Sequence, residues 1–150
     1  MSAKLYEWLR RIKTVELEHS ATRLAMDRLM VAAGQDSTVL TPKLPLRAIR
    51  MASERLEGTF LVRLFAEFET GLRQFWPTAR NTHAPSRTRD LLDGIAATRR
   101  IPHEQLTNAH LVREYRNRLI HAREEPVDAI PIAGARGHLC QLFSFLPPDW

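Results

Sequence analysis

The sequence has one cysteine in 150 residues. Cys140 therefore cannot close an internal disulfide or build a cysteine zinc site, and it reads as a small buried hydrophobe of a reducing compartment. Lysine is nearly as scarce, standing only at positions 4, 13 and 43, so almost all of the positive charge is arginine. No stretch approaches the roughly 20 apolar residues of a membrane span, and the opening residues MSAKLYEWLRRIK lack the apolar run of a secretory leader. These absences lead us to expect a cytoplasmic protein with no membrane partner. Alternating apolar and polar runs of the kind that mark strands are missing as well, as are internal repeats and low-complexity tracts.

What is present is helical periodicity. The length suits one domain, 1–150, with a single core. Leu5, Trp8, Leu9, Ile12, Val15, Leu24, Leu29 and Met30 recur at three- and four-residue steps, which predicts a long first helix over about 3–33 ending at Gly34. Pro42 and Pro45 make the next segment a connector. From about Leu46 to Trp76 an apolar stripe follows: Leu56, Phe60, Leu61, Leu64, Phe65, Phe68, Leu72, Phe75 and Trp76. Such a stripe predicts the core helix, with Glu54, Arg63, Glu67 and Arg73 opposite and with Gly58 and Gly71 marking close approaches of neighbours. Pro77 to Arg87 reads as a loop, TRDLLDGIAATRR as a short helix, and GARGHLCQLFSFL as a closing helix after the breaks at Pro126 and Pro131. The expected fold class is all-α, an up-and-down bundle of four to five helices whose core spans about 46–146.

The chemistry concentrates in REYRNRLIH, Arg113 to His121. Asn108 is a natural N-cap, so the helix carrying this stretch is expected to run from there to about Ala122, with Pro102 and Glu104 in a preceding turn. Successive residues step by about 100°, so with Arg113 at zero, Arg116 falls near about −60°, Asn117 near +40° and His121 near +80°. Leu111, Val112, Tyr115, Leu119 and Ala122 then form the expected core arc. His110, Arg113, Arg116, Asn117 and His121 point outward, and Ile120 among them suggests that a second surface covers this face. Arg116 and His121 are separated around the axis, and two copies facing each other across a twofold would bring both pairs to one cleft.

An arginine followed by a polar residue, with a histidine a few positions on, placed late in a helical bundle, resembles the motif of the HEPN superfamily. In RNRLIH the matching residues are Arg116, Asn117 and His121. The resemblance covers the layout from about Leu46 to Leu146. It implies a metal-independent endoribonuclease with its active site between two protomers of a homodimer, acting on an RNA substrate as a toxin or stress effector. It also admits an antitoxin or nucleotidyltransferase partner.

The residue types suit that chemistry. RNA carries a 2′-hydroxyl beside each phosphodiester, so a histidine can remove its proton and an arginine fork can hold the charge gathering on phosphorus. His121 is the expected base or acid, Arg116 the phosphate ligand, and Asn117 the group that orients His121 or binds phosphate. Arg113, His110 and Arg80 are candidate substrate-binding residues, with Arg80, His83 and Arg87 expected on a loop. Asp90 and Asp93 are expected at helix starts. His103, His110 and His121 lack the spacing of a common metal site, so no metal and no other cofactor is expected. Two other readings use the same residues: a non-catalytic HEPN-like dimerisation or binding module, and a helical domain whose Arg116 and His121 only complement charges and a helix end.

Overall fold

The computed structural model describes residues 4–121 and 128–150. These residues form a packed bundle of five helices with no strand among them: α1 (Lys4–Gln35), α2 (Leu46–Arg80), α3 (Thr88–Arg99), α4 (His103–Ile120) and α5 (Ile132–Phe143). A one-turn 3-10 helix, Ser37–Val39, follows α1, and the Asp36 carboxylate caps it by accepting from the Thr38 N–H at 2.9 Å. No helix among the described residues is long and apolar enough to cross a membrane.

The apolar stripe of α2 makes it the central element, touching each of the other four helices. Leu61, Leu64, Phe65, Phe68, Leu72, Phe75 and Trp76 are buried along it. Phe60 alone of the expected stripe stays partly exposed, its ring 5.6 Å from that of His19. Trp8, Ile12 and Val15 of α1, Leu91, Leu92 and Ile95 of α3, and Leu139, Leu142 and Phe143 of α5 complete the core. The Phe68 and Phe143 rings meet edge to face at 5.2 Å, the arrangement that aromatic quadrupoles prefer. Helix α4 contributes least, burying only Ala109 and Val112.

Several boundaries differ from the expected ones. Gly34 lies inside α1, whose last residue is Gln35. Pro77 does not open a loop but sits in the last turn of α2, where its missing N–H forfeits a single helical bond. Its carbonyl still accepts from the Asn81 N–H at 2.8 Å, and Asn81, with φ 48°, ends the helix in the left-handed region. Arg100, with φ 51°, ends α3 in the same way, and the buried Ile101 turns its N–H back to the Ala96 carbonyl at 2.9 Å. Helix α4 then starts at His103, with Pro102 as its cap residue, so Asn108 lies within the helix instead of at its head. Nothing between 103 and 108 breaks a helix once Pro102 has set its entry. The expected end at Ala122 and the break at Pro126 lie outside the described residues, whereas Pro131 does precede α5.

The glycine reading holds. A Cβ built on Gly58 would stand 3.1 Å from the Leu119 side chain, and one on Gly71 would meet Phe143 at 2.6 Å and Trp8 at 3.0 Å. Gly71 is therefore where α1 and α5 both close on α2. Gly71→Ala should lower the unfolding free energy by about 1–3 kcal/mol through overpacking, outweighing its intrinsic helix gain of about 1 kcal/mol. Urea titration measures this, and a midpoint equal to or above that of the parent chain would contradict the packing described.

Candidate active site

Helix α4 sets Ala109 and Val112 into the core, with Leu106 and Tyr115 packed against it and a polar contact to α2 beside them. Ala109 and Val112 mark the inward direction, and Arg116, one turn beyond Val112, lies within about 40° of it. Arg116 is thus on the flank turned to α2, not on the outward arc expected for it. The expected core arc was centred too far round: Leu111 is 50% exposed and Leu119 38% exposed. Ile120 is 48% exposed, as an apolar residue on a polar face was expected to be.

Arg116 meets Glu69 of α2. Its Nη2 donates to Glu69 Oε2 at 3.0 Å, its Nη1 donates to Asn117 Oδ1 at 2.8 Å, and its guanidinium lies 4.9 Å from the centre of the Phe65 ring. The other Glu69 oxygen accepts from Arg73 at 2.7 and 3.1 Å and from the Thr88 hydroxyl at 2.8 Å. One carboxylate thereby ties α2, α3 and α4 together, with side-chain exposures of 17% for Glu69 and 21% for Arg116. Arg73 also donates to the carbonyls of Pro85 and Ser86, at 2.6 and 3.1 Å, which fastens the segment before α3. Burial pushes the Glu69 carboxyl up, but the bonds from Arg73 and Thr88 and the charges of Arg73 and Arg116 outweigh it and hold the group below its ordinary value. Sequence reasoning missed Glu69. Its signals were an i, i+4 pairing with Arg73 and a place between Phe65, Phe68 and Leu72, an unusual position for an unpartnered acid.

On the outward side of α4, His103, Thr107, His110, Glu114, Asn117 and His121 recur at alternating steps of four and three, one continuous polar stripe about 27 Å long. Its C-terminal end forms an open cleft of about 270 Å³ lined by Glu114, Asn117, Arg118 and His121. His121 is the exposed cap residue, its N–H bonded to the Asn117 carbonyl at 2.9 Å. The cleft thus brings together Asn117 and His121, as expected, and adds Arg118, which the sequence reading did not single out. Arg116 does not line it. The Arg116–Asn117 bond nevertheless reaches it, because a guanidinium on the amide oxygen leaves the amide NH₂ turned away from Arg116 as a donor.

The remaining candidates separate. Arg113 Nε donates to His110 Nδ1 at 3.2 Å, so the His110 proton sits on Nε2 and is donated to Asp93 Oδ1 at 2.7 Å. Asp93 is therefore not a helix-start residue but the α3 end of a chain of hydrogen bonds into α4. Arg80 is not on a loop: it ends α2, donates to Thr98 Oγ1 at 3.0 Å and to the Gly94 carbonyl at 3.2 Å, and lies 5.4 Å from the Trp76 ring centre. It does not line this cleft and instead clamps α2 to α3. No group of three or more His, Cys, Asp or Glu among the described residues is placed to hold a metal ion.

Because its folded carboxyl is held below its ordinary value, Glu69 stabilises the fold above the usual glutamate range, and this contribution is lost as pH falls from that range through the lowered value. Glu69→Gln should therefore lower stability at neutral pH and flatten the acid decline of the unfolding free energy. Denaturant titrations across pH 3–7 test this, and an acid profile parallel to that of the parent would show that the carboxylate does not carry the network.

Comparison with protein-family models, with curated proteins and with solved structures finds no match to this chain.

Proposed function

We propose that this chain is a HEPN-like, up-and-down helical bundle that acts as a metal-independent endoribonuclease, with a composite site formed along α4 in a homodimer. The observation that carries this reading is the convergence of Asn117, Arg118 and His121 on one open cleft at the end of α4. Attack by a 2′-hydroxyl needs a base, charge stabilisation at phosphorus and an acid for O5′, and an imidazole, a guanidinium and an amide donor can serve the first two. His121 takes the 2′-hydroxyl proton while O2′ bonds to phosphorus and the bond to O5′ breaks. Arg118 balances the charge on the non-bridging oxygens, as a guanidinium fork suits a phosphate and works best out of water. The departing O5′ takes its proton from a second imidazole or from water. The products are a 2′,3′-cyclic phosphate and a 5′-hydroxyl.

In this scheme Arg116 is a positioning residue. Fixed by Glu69 and Phe65, it turns the Asn117 amide so that its NH₂ donates toward the phosphate or His121. The second imidazole comes from the other copy. The polar stripe keeps a seven-residue repeat, His103, His110, Asn117 beside Thr107, Glu114, His121, and exposed Leu111 and Ile120 flank it. A twofold pairing centred on the C-terminal end of this face would cover Ile120, set the two clefts side by side and leave the N-terminal half of the stripe open. A toxin or stress effector of this design is restrained by an antitoxin or nucleotidyltransferase partner that occupies the same face.

One observation favours a second reading, a non-catalytic HEPN-like binding module. Arg116 of the RNRLIH motif is already paired with Glu69 and stands outside the cleft.

The two readings separate on an RNA cleavage assay. The nuclease reading expects cyclic-phosphate and 5′-hydroxyl ends, a rate unaffected by a metal chelator, and a loss of about 10²- to 10⁴-fold in His121→Ala. No cleavage by the parent chain would leave the binding-module reading in its place, and linear 3′-phosphate ends that vanish with the chelator would contradict both readings.

A further inference from the structure

Beside the His121 cleft, with Glu114 on the ridge between them, a second opening of about 320 Å³ lies between α3 and α4. His103, His110 and Arg113 form its α4 wall, Arg89 and Asp93 its α3 wall, and Leu106 supplies apolar surface. The two acids inside it are not equivalent. Asp93 is engaged by His110 at 2.7 Å, while Glu114 is 54% exposed at the rim with Arg113 Nη2 at 3.4 Å. Both ring nitrogens of His110 are occupied, so this imidazole acts as a strut that holds Arg113.

The arginines have donors to spare. Arg113 is only 16% exposed and spends its Nε on His110 and one Nη2 N–H on Glu114, which leaves the other three of its five N–H groups without an acceptor among the described residues. Arg89 is exposed on the opposite wall and makes no hydrogen bond or ion pair among the described residues. Two guanidinium groups on facing walls, one of them partly desolvated, are of the kind that binds a tetrahedral anion.

We propose that this second opening is a phosphate subsite for the RNA strand continuing from the His121 cleft, with Arg89 and Arg113 holding one phosphodiester between them and Leu106 facing the adjoining nucleoside. This rests on the nuclease reading for the direction of the strand. The shared ridge at Glu114 and the single stripe of α4 make the two openings one path, so a strand bound at His121 passes the arginines without changing helix. A free nucleotide offers the same phosphate chemistry, and its source is distinguished below.

The test uses the whole chain and a fluorescent 2′-fluoro oligouridylate, which keeps every phosphate and cannot be cut by 2′-hydroxyl attack. Anisotropy titrations over a range of salt give the slope of log affinity against log salt. Each phosphate contact on a single strand contributes about 0.7 to that slope. Arg89→Ala, whose side chain supports no other residue described, should weaken binding several-fold and reduce the slope by up to about 0.7, whereas Arg28→Ala on α1 should leave it unchanged. An Arg89→Ala slope equal to that of the parent overturns the proposal. So does loss of 5′-UMP binding in Arg89→Ala with the oligomer slope intact, since the opening would then serve a free nucleotide. Cleavage of ordinary RNA by His121→Ala is scored separately: a reduced slope alongside undiminished cleavage would retain the subsite and reject the nuclease reading.

Discussion

A carboxylate set into an aromatic stripe ties three helices of this bundle together. Glu69 lies on the buried side of α2 and takes bonds from Arg73, Thr88 and Arg116, residues of three different helices. Desolvation of a half-buried acid opposes its charge, and the bonds from these partners offset that cost. The network's net contribution to stability is modest, because taking the charges out of water offsets much of their attraction. Helix α4 sets Ala109 and Val112 into the core, with Leu106 and Tyr115 packed beside them and Leu119 against Gly58, and the single bond from Arg116 to Glu69 adds a polar contact that matches this rotation.

That rotation has a consequence one residue further along. Arg116 and Asn117 are separated by about 100° around the axis, so holding the first against α2 turns the second into the cleft beside His121. The 2.8 Å bond between them carries the constraint across. The Asp93–His110–Arg113 chain does the same half a helix earlier, anchoring α4 to α3 while keeping a guanidinium at the mouth of the second opening. Both anchors pair an inward polar bond with an outward functional group. The proposed chemistry and strand path are built on this alternation along a single helix.

Much of this architecture was legible in the sequence. The α2 stripe, the long α1, the closing α5 and the close approaches at Gly58 and Gly71 follow from periodicity and side-chain size, and they were found. The grouping of Asn117 with His121 follows from four-residue spacing. The inward turn of Arg116 did not, because Leu111 and Leu119 pulled the inferred core arc away from the direction that Ala109 and Val112 define. An alanine carries little weight in a hydrophobic pattern, yet Ala109 is fully buried. Glu69 and Asp93 escaped for a related reason: an acid's partner on another helix leaves no trace in local spacing. Arg80 was assigned to a loop because Pro77 suggested the helix had ended, whereas a proline in a last turn costs one bond and the helix outlasts it.

The central claim is that Arg116 acts on the cleft through Asn117. A double-mutant cycle on kcat/KM for RNA cleavage, using Arg116→Ala, Asn117→Ala and the pair, with thermal unfolding followed in parallel, tests it most directly. The account predicts that the pair is no slower than Asn117→Ala alone, because removing the amide leaves Arg116 nothing to position. Losses that multiply would contradict it, since Arg116 would then be touching the substrate by itself.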